Sequence, residues 1–219
     1  MFDHKIVFTG PMGCGKTTAI HTYSEVEPVM TEVKATESEV TAIKENTTVA
    51  MDYGLVTLDE ETRVHLYGTP GQERFDFMWD ILGEGAHGIV VLVDHLAENP
   101  IERMKFYLGK FDKFLKNVPC VVGINKFDSP APHNLKLADY EKAVHELYPD
   151  MQVFEVDIRK EEDVRMLIMS LLFSKPKSIT GILERLDRLP VPKLVQPKAT
   201  WNTKIQTNRN ISGTMHTSL

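Results

Sequence analysis

The stretch Gly10 to Thr18 reads GPMGCGKTT and matches the phosphate-binding pattern GxxxxGK[ST], which ends here on Gly15, Lys16 and Thr17. The short run before it, HKIVFT, favours a β-strand, and the run TAIHTY at its end can continue as a helix. This order of strand, loop and helix is the context in which the pattern binds phosphate. The stretch therefore predicts a domain that holds a nucleotide at the end of its first strand.

Each residue type in this loop has a separate task in holding phosphate. Glycines let the backbone bend around an anion, and the amides of the loop and of the helix N-terminus point at phosphate oxygens. The Lys16 ammonium adds a positive charge near the β- and γ-phosphates, and the Thr17 hydroxyl is suited to bind Mg²⁺. The predicted phosphate-binding residues are Gly10, Gly13, Cys14, Gly15, Lys16, Thr17 and Thr18.

The composition argues against several other classes of protein. A chain of 219 residues with a formal net charge of −6 lacks the clustered Lys and Arg that a nucleic-acid partner requires. Its two cysteines, Cys14 and Cys120, do not suggest a disulfide framework, which favours a reducing compartment. No apolar run approaches a membrane span, and the final MHTSL has no cysteine for prenylation. We therefore expect a cytoplasmic protein with no integral membrane segment or lipid anchor.

Strand and helix patterns alternate after the phosphate loop. Residues 49–58 and 62–67 predict a hairpin, and the nearly continuous apolar run at 88–94 is typical of a strand buried on both faces. Helical patterns then alternate with strand patterns at 118–124 and 152–156. Together these features predict an α/β domain with three layers, doubly wound around a mostly parallel sheet that has one antiparallel strand.

Two segments lack this alternation. Residues 25–47 are polar and without steady periodicity, which predicts a long, mobile connection. Beyond Pro176 one short amphipathic helix is predicted before Pro190, and the remainder is poor in apolar residues. We therefore predict a nucleotide-binding domain over residues 1–175, and a short helix with a flexible tail over residues 176–219.

A second motif, NKFD at Asn125 to Asp128, directly follows an apolar strand pattern. With it the chain resembles the Ras-like small GTPases, over about residues 5–173. The resemblance implies that Asp128 accepts hydrogen bonds from two guanine donors, that Asn125 braces the pocket, and that Lys126 packs over the base. Adenine offers neither donor, and hydrogen bonds to a charged group contribute about 1.5–3 kcal/mol each. The implied ligands are GTP or GDP together with Mg²⁺.

The resemblance also assigns roles to three polar loops. Of two adjacent threonines, Thr48 is the better candidate to sense the γ-phosphate through Mg²⁺, because a strand begins just after it. Gly71 and Gln72 lie in GTPGQE, which corresponds to the family's DTAGQE, and the glutamine orients the attacking water. Asp157 and Ile158 stand where the family has its SAK loop, so an amide near Ile158 is expected at guanine O6. The implied catalytic residues are Gln72, Lys16 and Thr48, and the implied metal ligands are Thr17 and Thr48.

Two positions depart from the family pattern. Gly68 replaces the aspartate linked to the metal, which removes a carboxylate from the outer shell of Mg²⁺. Met12 is bulky where many relatives have a small residue beside the γ-phosphate, and it would obstruct an inserted arginine. The segments TTVAMDYG and TPGQE resemble a bacterial branch of small Ras-like GTPases, similar to those encoded beside roadblock-type proteins. The implied partners are guanine nucleotide and regulatory or effector proteins, for which a roadblock-type protein is one candidate.

Three functions are compatible with these motifs. The leading one is a GTP-binding molecular switch with slow, partner-stimulated hydrolysis. A P-loop ATPase or kinase would use the strand ending at Asp94 for metal binding, but it would leave NKFD as a coincidence. A nucleotide-binding interaction module with negligible turnover is compatible with Gly68 and Met12. Base preference separates the first two functions, and single-turnover phosphate release separates the first from the third.

The base-reading role of Asp128 predicts the effect of one substitution. Asp128→Asn should shift preference from guanine toward xanthine nucleotides, because an amide donor suits the O2 carbonyl of xanthine. Competition binding of GDP and xanthosine diphosphate to the two proteins measures this shift. A mutant that still prefers guanine as strongly as the original protein would show that Asp128 does not carry recognition.

Overall fold

The computed structural model describes residues 1–27, 29–33 and 49–174 as an alternating series of strands and helices. The strands are β1 (Phe2–Thr9), β2 (Val29–Val33), β3 (Val49–Thr57), β4 (Thr62–Gly68), β5 (Gly88–Asp94), β6 (Cys120–Asn125) and β7 (Gln152–Val156). The helices are α1 (Lys16–Tyr23), α2 (Asp76–Gly83), α3 (Pro100–Leu115), α4 (Leu137–His145) and α5 (Glu161–Leu172), and a 3₁₀ turn at Glu73–Phe75 precedes α2.

The seven described strands form one sheet in the order β2-β3-β4-β1-β5-β6-β7. Strand β3 is antiparallel to both of its neighbours, whereas every other neighbouring pair is parallel. This confirms the predicted mostly parallel sheet with one antiparallel strand. The expectation of an irregular connection over residues 25–47 is wrong for Val29–Val33, which pairs with β3 as an edge strand. Pairing with a distant strand stabilises this segment, and periodicity within the segment does not reveal such a partner.

Helices cover both faces of the sheet and produce two apolar layers. Successive residues of β5 alternate between them: Val91 packs in the layer with α2, α3 and α4, and Leu92 packs in the layer with α1 and α5. Both side chains are fully buried, as the apolar run at 88–94 predicts for a strand covered on both faces. Burial of one large apolar side chain contributes roughly 1.5–3 kcal/mol, so the central strands form a rigid base for the loops.

The loops that carry the predicted site all leave the same edge of the sheet. Parallel strands β1, β4, β5, β6 and β7 have their carboxyl ends at one edge, and the phosphate loop follows β1. Strand β1 lies between β4 and β5, so the loops that follow these strands lie on either side of the phosphate loop. Ligands of doubly wound sheets bind at such a position.

Gly10 allows the phosphate loop to lie directly on this edge. Its φ is 141°, and a Cβ atom added there would lie 2.2 Å from the carbonyl oxygen of Leu92 at the end of β5. Because that oxygen belongs to the backbone of a buried strand, it cannot move aside as a flexible side chain would. Only glycine fits between the loop and the strand without displacing one of them.

A pair of glycine substitutions tests this close approach. Gly10→Ala should lower the free energy of unfolding by about 1–3 kcal/mol, because it combines overpacking with an unfavourable φ. Gly109→Ala is the matched control, since Gly109 lies in α3 and an added Cβ meets no atom within 4 Å. It should raise stability by about 0.5–1 kcal/mol. Urea denaturation measures both changes, and equal stability of the two variants would contradict this account of Gly10.

Candidate nucleotide-binding site

The phosphate loop wraps around the ammonium group of Lys16. Gly13 and Gly15 have φ angles of 81° and 107°, which are left-handed conformations that favour glycine. The Lys16 side chain is buried, and its Nζ donates hydrogen bonds to the carbonyl oxygens of Gly10 at 2.8 Å and Pro11 at 2.9 Å. Helix α1 begins at Lys16, so its first free amides lie beside this charge. The loop therefore concentrates positive potential where a phosphate would bind.

The Cys14 thiol does not lie on the surface of the phosphate loop. Its side chain is fully buried, and burial raises the pKa of the thiol. Cys14 can therefore contribute to phosphate binding only through its backbone.

A pocket of about 500 Å³ lies between the phosphate loop and the loop that follows β4 (residues 68–75, the β4 loop). Its volume is in the range of ordinary ligand sites. It brings together seven of the residues predicted for binding and catalysis: Gly13, Gly15, Lys16, Thr17, Thr18, Gly71 and Gln72. The complete lining is Met12, Gly13, Gly15, Lys16, Thr17, Thr18, Asp52, Gly68, Thr69, Pro70, Gly71, Gln72, Arg74 and Phe75.

Asp52 supplies a carboxylate where Gly68 lacks one. The two residues are paired in the register of β3 and β4, and a Cβ atom added at Gly68 would lie 3.0 Å from Asp52 Oδ2. The Thr17 hydroxyl donates a hydrogen bond of 2.6 Å to the same carboxylate oxygen. A hydroxyl that donates its proton keeps its lone pairs, so Thr17 can still bind a cation.

The oxygen atoms of Thr17 and Asp52 are of the type that a hard cation such as Mg²⁺ prefers, and Mg²⁺ usually takes one or two protein ligands together with phosphate oxygens. Asp52 was not predicted as a site residue, although the sequence contains a signal for it. The hairpin turn is centred near Glu60, and counting outward from it along both strands pairs Asp52 with Gly68.

The NKFD loop is hydrogen-bonded to the phosphate loop. Asn125 is buried, and its Nδ2 donates to the carbonyl oxygen of Cys14 at 3.1 Å. Lys126 Nζ donates to the carbonyl oxygen of Gly13 at 3.1 Å and forms an ion pair of 2.6 Å with Asp94. These contacts hold the predicted base-reading loop at a fixed distance from the predicted phosphate site.

Asp128 is linked to the loop after β7 through Arg159. The Arg159 guanidinium donates to both carboxylate oxygens of Asp157, at 2.7 and 2.8 Å, and its Nη2 also donates to Asp128 at 3.0 Å. These hydrogen bonds lower the pKa of Asp157 to about 2. The Ile158 amide donates to Asn125 Oδ1 at 3.5 Å, a contact that places the loop after β7 beside the NKFD loop. Arg159 was not predicted from the sequence, because its link between Asp128 and Asp157 depends on contacts between separate loops.

Some predictions lie beyond the described residues. Thr48, the predicted threonine of the first switch, lies outside them, and so do residues 176–219, the predicted short helix and tail. Within the described ranges, no helix combines the length and apolar character needed to cross a membrane.

Comparison with known proteins identifies relatives over most of the chain. A family model described as "Conserved hypothetical ATP binding protein" matches residues 8–196, a range that contains both the phosphate loop and NKFD. The mutual gliding-motility protein MglA of Myxococcus xanthus is 28% identical over 162 residues, which cover 68% of this chain and 79% of MglA. The uncharacterized protein MJ1339 of Methanocaldococcus jannaschii is 30% identical over 124 residues, or 57% of this chain and 70% of that protein. The Ras-related protein Rab-1D of Dictyostelium discoideum is 23% identical over 209 residues, covering 93% and 92% of the two chains.

The position of Asp52 predicts how strongly the site retains Mg²⁺. Asp52→Asn should raise the Mg²⁺ concentration needed to slow nucleotide release by about 10- to 100-fold, the usual cost of removing a group that orients a metal ligand. Release of a fluorescent nucleotide across a Mg²⁺ titration measures this value without requiring turnover. Asp150→Asn, at an exposed position, is the control for loss of one charge. The same Mg²⁺ dependence in both variants would contradict a role for Asp52.

Proposed function

Because this chain belongs both to the family described as conserved hypothetical ATP-binding proteins and to the bacterial small Ras-like GTPases, we propose that it is a guanine-nucleotide switch. It binds GTP and GDP, hydrolyses GTP slowly by itself, and changes its affinity for partner proteins with the bound nucleotide. A regulatory protein, for which a roadblock-type activator is one candidate, accelerates the hydrolysis.

The proposed preference for guanine is supported mainly by two hydrogen bonds, which Asn125 and Lys126 donate to the phosphate loop. Any nucleotide whose phosphates occupy the loop therefore has its base near Asp128. An ionised carboxylate has only acceptor oxygens, so it favours a base edge with two adjacent donors, which guanine has and adenine lacks. Two hydrogen bonds to a charged group, at about 1.5–3 kcal/mol each, correspond to a preference of roughly two to four orders of magnitude.

Hydrolysis depends on positioning and charge, because phosphoryl transfer needs little covalent chemistry from the protein. Gln72 orients the attacking water, while Lys16 and the loop amides stabilise charge that develops on the transferred phosphoryl group. Thr17, held by Asp52, would bind Mg²⁺ together with the phosphates, and the ion would neutralise negative charge on the phosphate oxygens. Thr48 completes this set as the proposed γ-phosphate sensor.

We expect slow turnover because the segment before β3 supplies no arginine finger: residues 28–48 contain Lys34 and Lys44 but no arginine. Arg74, the sole guanidinium in residues 68–77, lines the pocket, but it is engaged in a cation–π contact, with its Cζ 4.8 Å from the centroid of the Phe75 ring. An arginine finger raises the rate by about 10³–10⁵, so a site without one turns over slowly. The Met12 side chain is 73% exposed and lines the pocket, where it obstructs an arginine inserted from a partner. The activator therefore acts mainly by ordering Gln72.

A second candidate is an ATPase, which the description of the matching family favours. In that case Asp128 would read no guanine, and ADP would bind at least as tightly as GDP. The third candidate, a binding module with negligible turnover, has the same base preference as the proposed switch but releases no phosphate in a single turnover.

Substitution of Gln72 tests the proposed hydrolysis. The original protein should release phosphate at on the order of 10⁻⁴–10⁻³ s⁻¹ in single turnovers, as for a Ras-like protein without its activator. Gln72→Leu should retain GTP binding but lose hydrolysis, both alone and with an activator, because leucine cannot orient water. Met12→Gly should be tolerated, and Gln152→Leu, at an exposed position on β7, is a matched control. Fast turnover by the original protein alone, or unaltered hydrolysis in Gln72→Leu, would refute the mechanism.

A further inference from the structure

Two buried aromatic side chains donate hydrogen bonds to the backbone of the β4 loop just before Gln72. Trp79 Nε1 donates to the carbonyl oxygen of Pro70 at 2.9 Å, and the Tyr107 hydroxyl donates to the carbonyl oxygen of Gly71 at 3.2 Å. Each side chain is only 2% exposed. Burial raises the pKa of Tyr107 to about 12, so this hydroxyl keeps its proton and remains a donor.

The two donors are held in place by their own packing. The Trp79 ring lies 5.1 Å from the Tyr107 ring and 6.5 Å from the Phe111 ring, measured between centroids, all within the layer formed by α2, α3 and α4. Rings packed at these distances attract one another and leave little space for a change of rotamer. The hydrogen-bond donors are therefore fixed relative to α2 and α3.

A fixed carbonyl also fixes the amide in the same peptide plane. In a trans peptide the C=O and N–H groups point in opposite directions, because the unit is planar. The contact between Trp79 and Pro70 therefore directs the N–H group of Gly71 away from Trp79. The contact between Tyr107 and Gly71 fixes the N–H group of Gln72 in the same manner.

Gly71 lies against the part of the phosphate loop that faces the terminal phosphate. A Cβ atom added at Gly71 would lie 2.7 Å from the Met12 nitrogen and 3.0 Å from Lys16 Nζ. The lysine of this motif reaches the β- and γ-phosphates. The amide of Gly71 is therefore near the phosphate that distinguishes a triphosphate from a diphosphate.

We propose that Trp79 and Tyr107 are positioning residues for discrimination between GTP and GDP. Trp79 orients the Gly71 amide as a donor to the γ-phosphate, and Tyr107 holds the adjoining Gly71–Gln72 peptide unit, which fixes Gly71 from its other side. This inference rests on the proposed function, since it requires a nucleotide in the pocket. The two aromatic residues themselves do not touch the nucleotide. Their effect passes through the Pro70–Gly71 and Gly71–Gln72 peptide units, and it is absent from the complex with GDP.

The test compares affinities for a non-hydrolysable GTP analogue and for GDP in Tyr107→Phe. This variant removes one oxygen and keeps the ring, so it should fold with a thermal midpoint close to that of the original protein. The ratio of analogue affinity to GDP affinity should fall by about two- to tenfold, the effect of one neutral hydrogen bond. Affinity for GDP itself should stay within about twofold.

Tyr148→Phe is the matched control, because the Tyr148 hydroxyl donates to Asp112 at 2.9 Å rather than to the β4 loop. It should leave the ratio unchanged. Trp79→Phe, which removes the other donor, should lower the ratio in the same direction while GDP binding reports that the protein remains folded.

The outcomes separate this inference from the proposed function. A lower ratio in Tyr107→Phe and Trp79→Phe, with unchanged GDP affinity, supports the positioning role. An unchanged ratio in Tyr107→Phe, or an equal loss of affinity for both nucleotides, overturns it while leaving the proposed function intact. Failure of the original protein to bind either guanine nucleotide would overturn the proposed function and this inference together.

Discussion

The hydrogen bonds from Asn125 and Lys126 to the phosphate-loop carbonyls are the interactions on which the site depends. They join the loops after β1 and β6, which are more than 100 residues apart in the chain. Asn125 is buried, so losing this contact would leave a polar amide without its partner and carry a desolvation cost. The proposed reading of the base by Asp128 requires this fixed separation, because Asp128 follows Lys126 by only two residues.

The pairing of Asp52 with Gly68 places a carboxylate beside the position at which the family pattern has its aspartate. The carboxylate comes from β3 instead of β4, and the glycine on β4 leaves the space that it occupies. Thr17 is hydrogen-bonded to it, so the hydroxyl proposed to bind Mg²⁺ is oriented from the neighbouring strand. The missing aspartate in GTPGQE is therefore no sign by itself that metal binding has been lost.

Patterns within short stretches of sequence predicted the central strands and the phosphate loop, because those stretches determine these elements by themselves. The apolar run of β5 and the glycines of the phosphate loop each encode their structure within a few residues. The doubly wound α/β fold followed from the order of strand and helix patterns, and the Ras-like family followed from the resemblance at NKFD. Contacts between distant segments were not predicted, because residue type alone does not show which partner a side chain meets. Arg159, Trp79 and Tyr107 acquire their roles in this way, and β2 exists as a strand because β3 pairs with it.

The proposed function depends most directly on the selection of guanine by Asp128. The most direct measurement is the affinity of the purified protein for GDP and for ADP, determined in the same buffer with saturating Mg²⁺. GDP should bind at least about 100-fold more tightly than ADP, because two hydrogen bonds join guanine to one carboxylate. Equal affinities, or tighter binding of ADP, would contradict the selection of guanine and favour the ATPase.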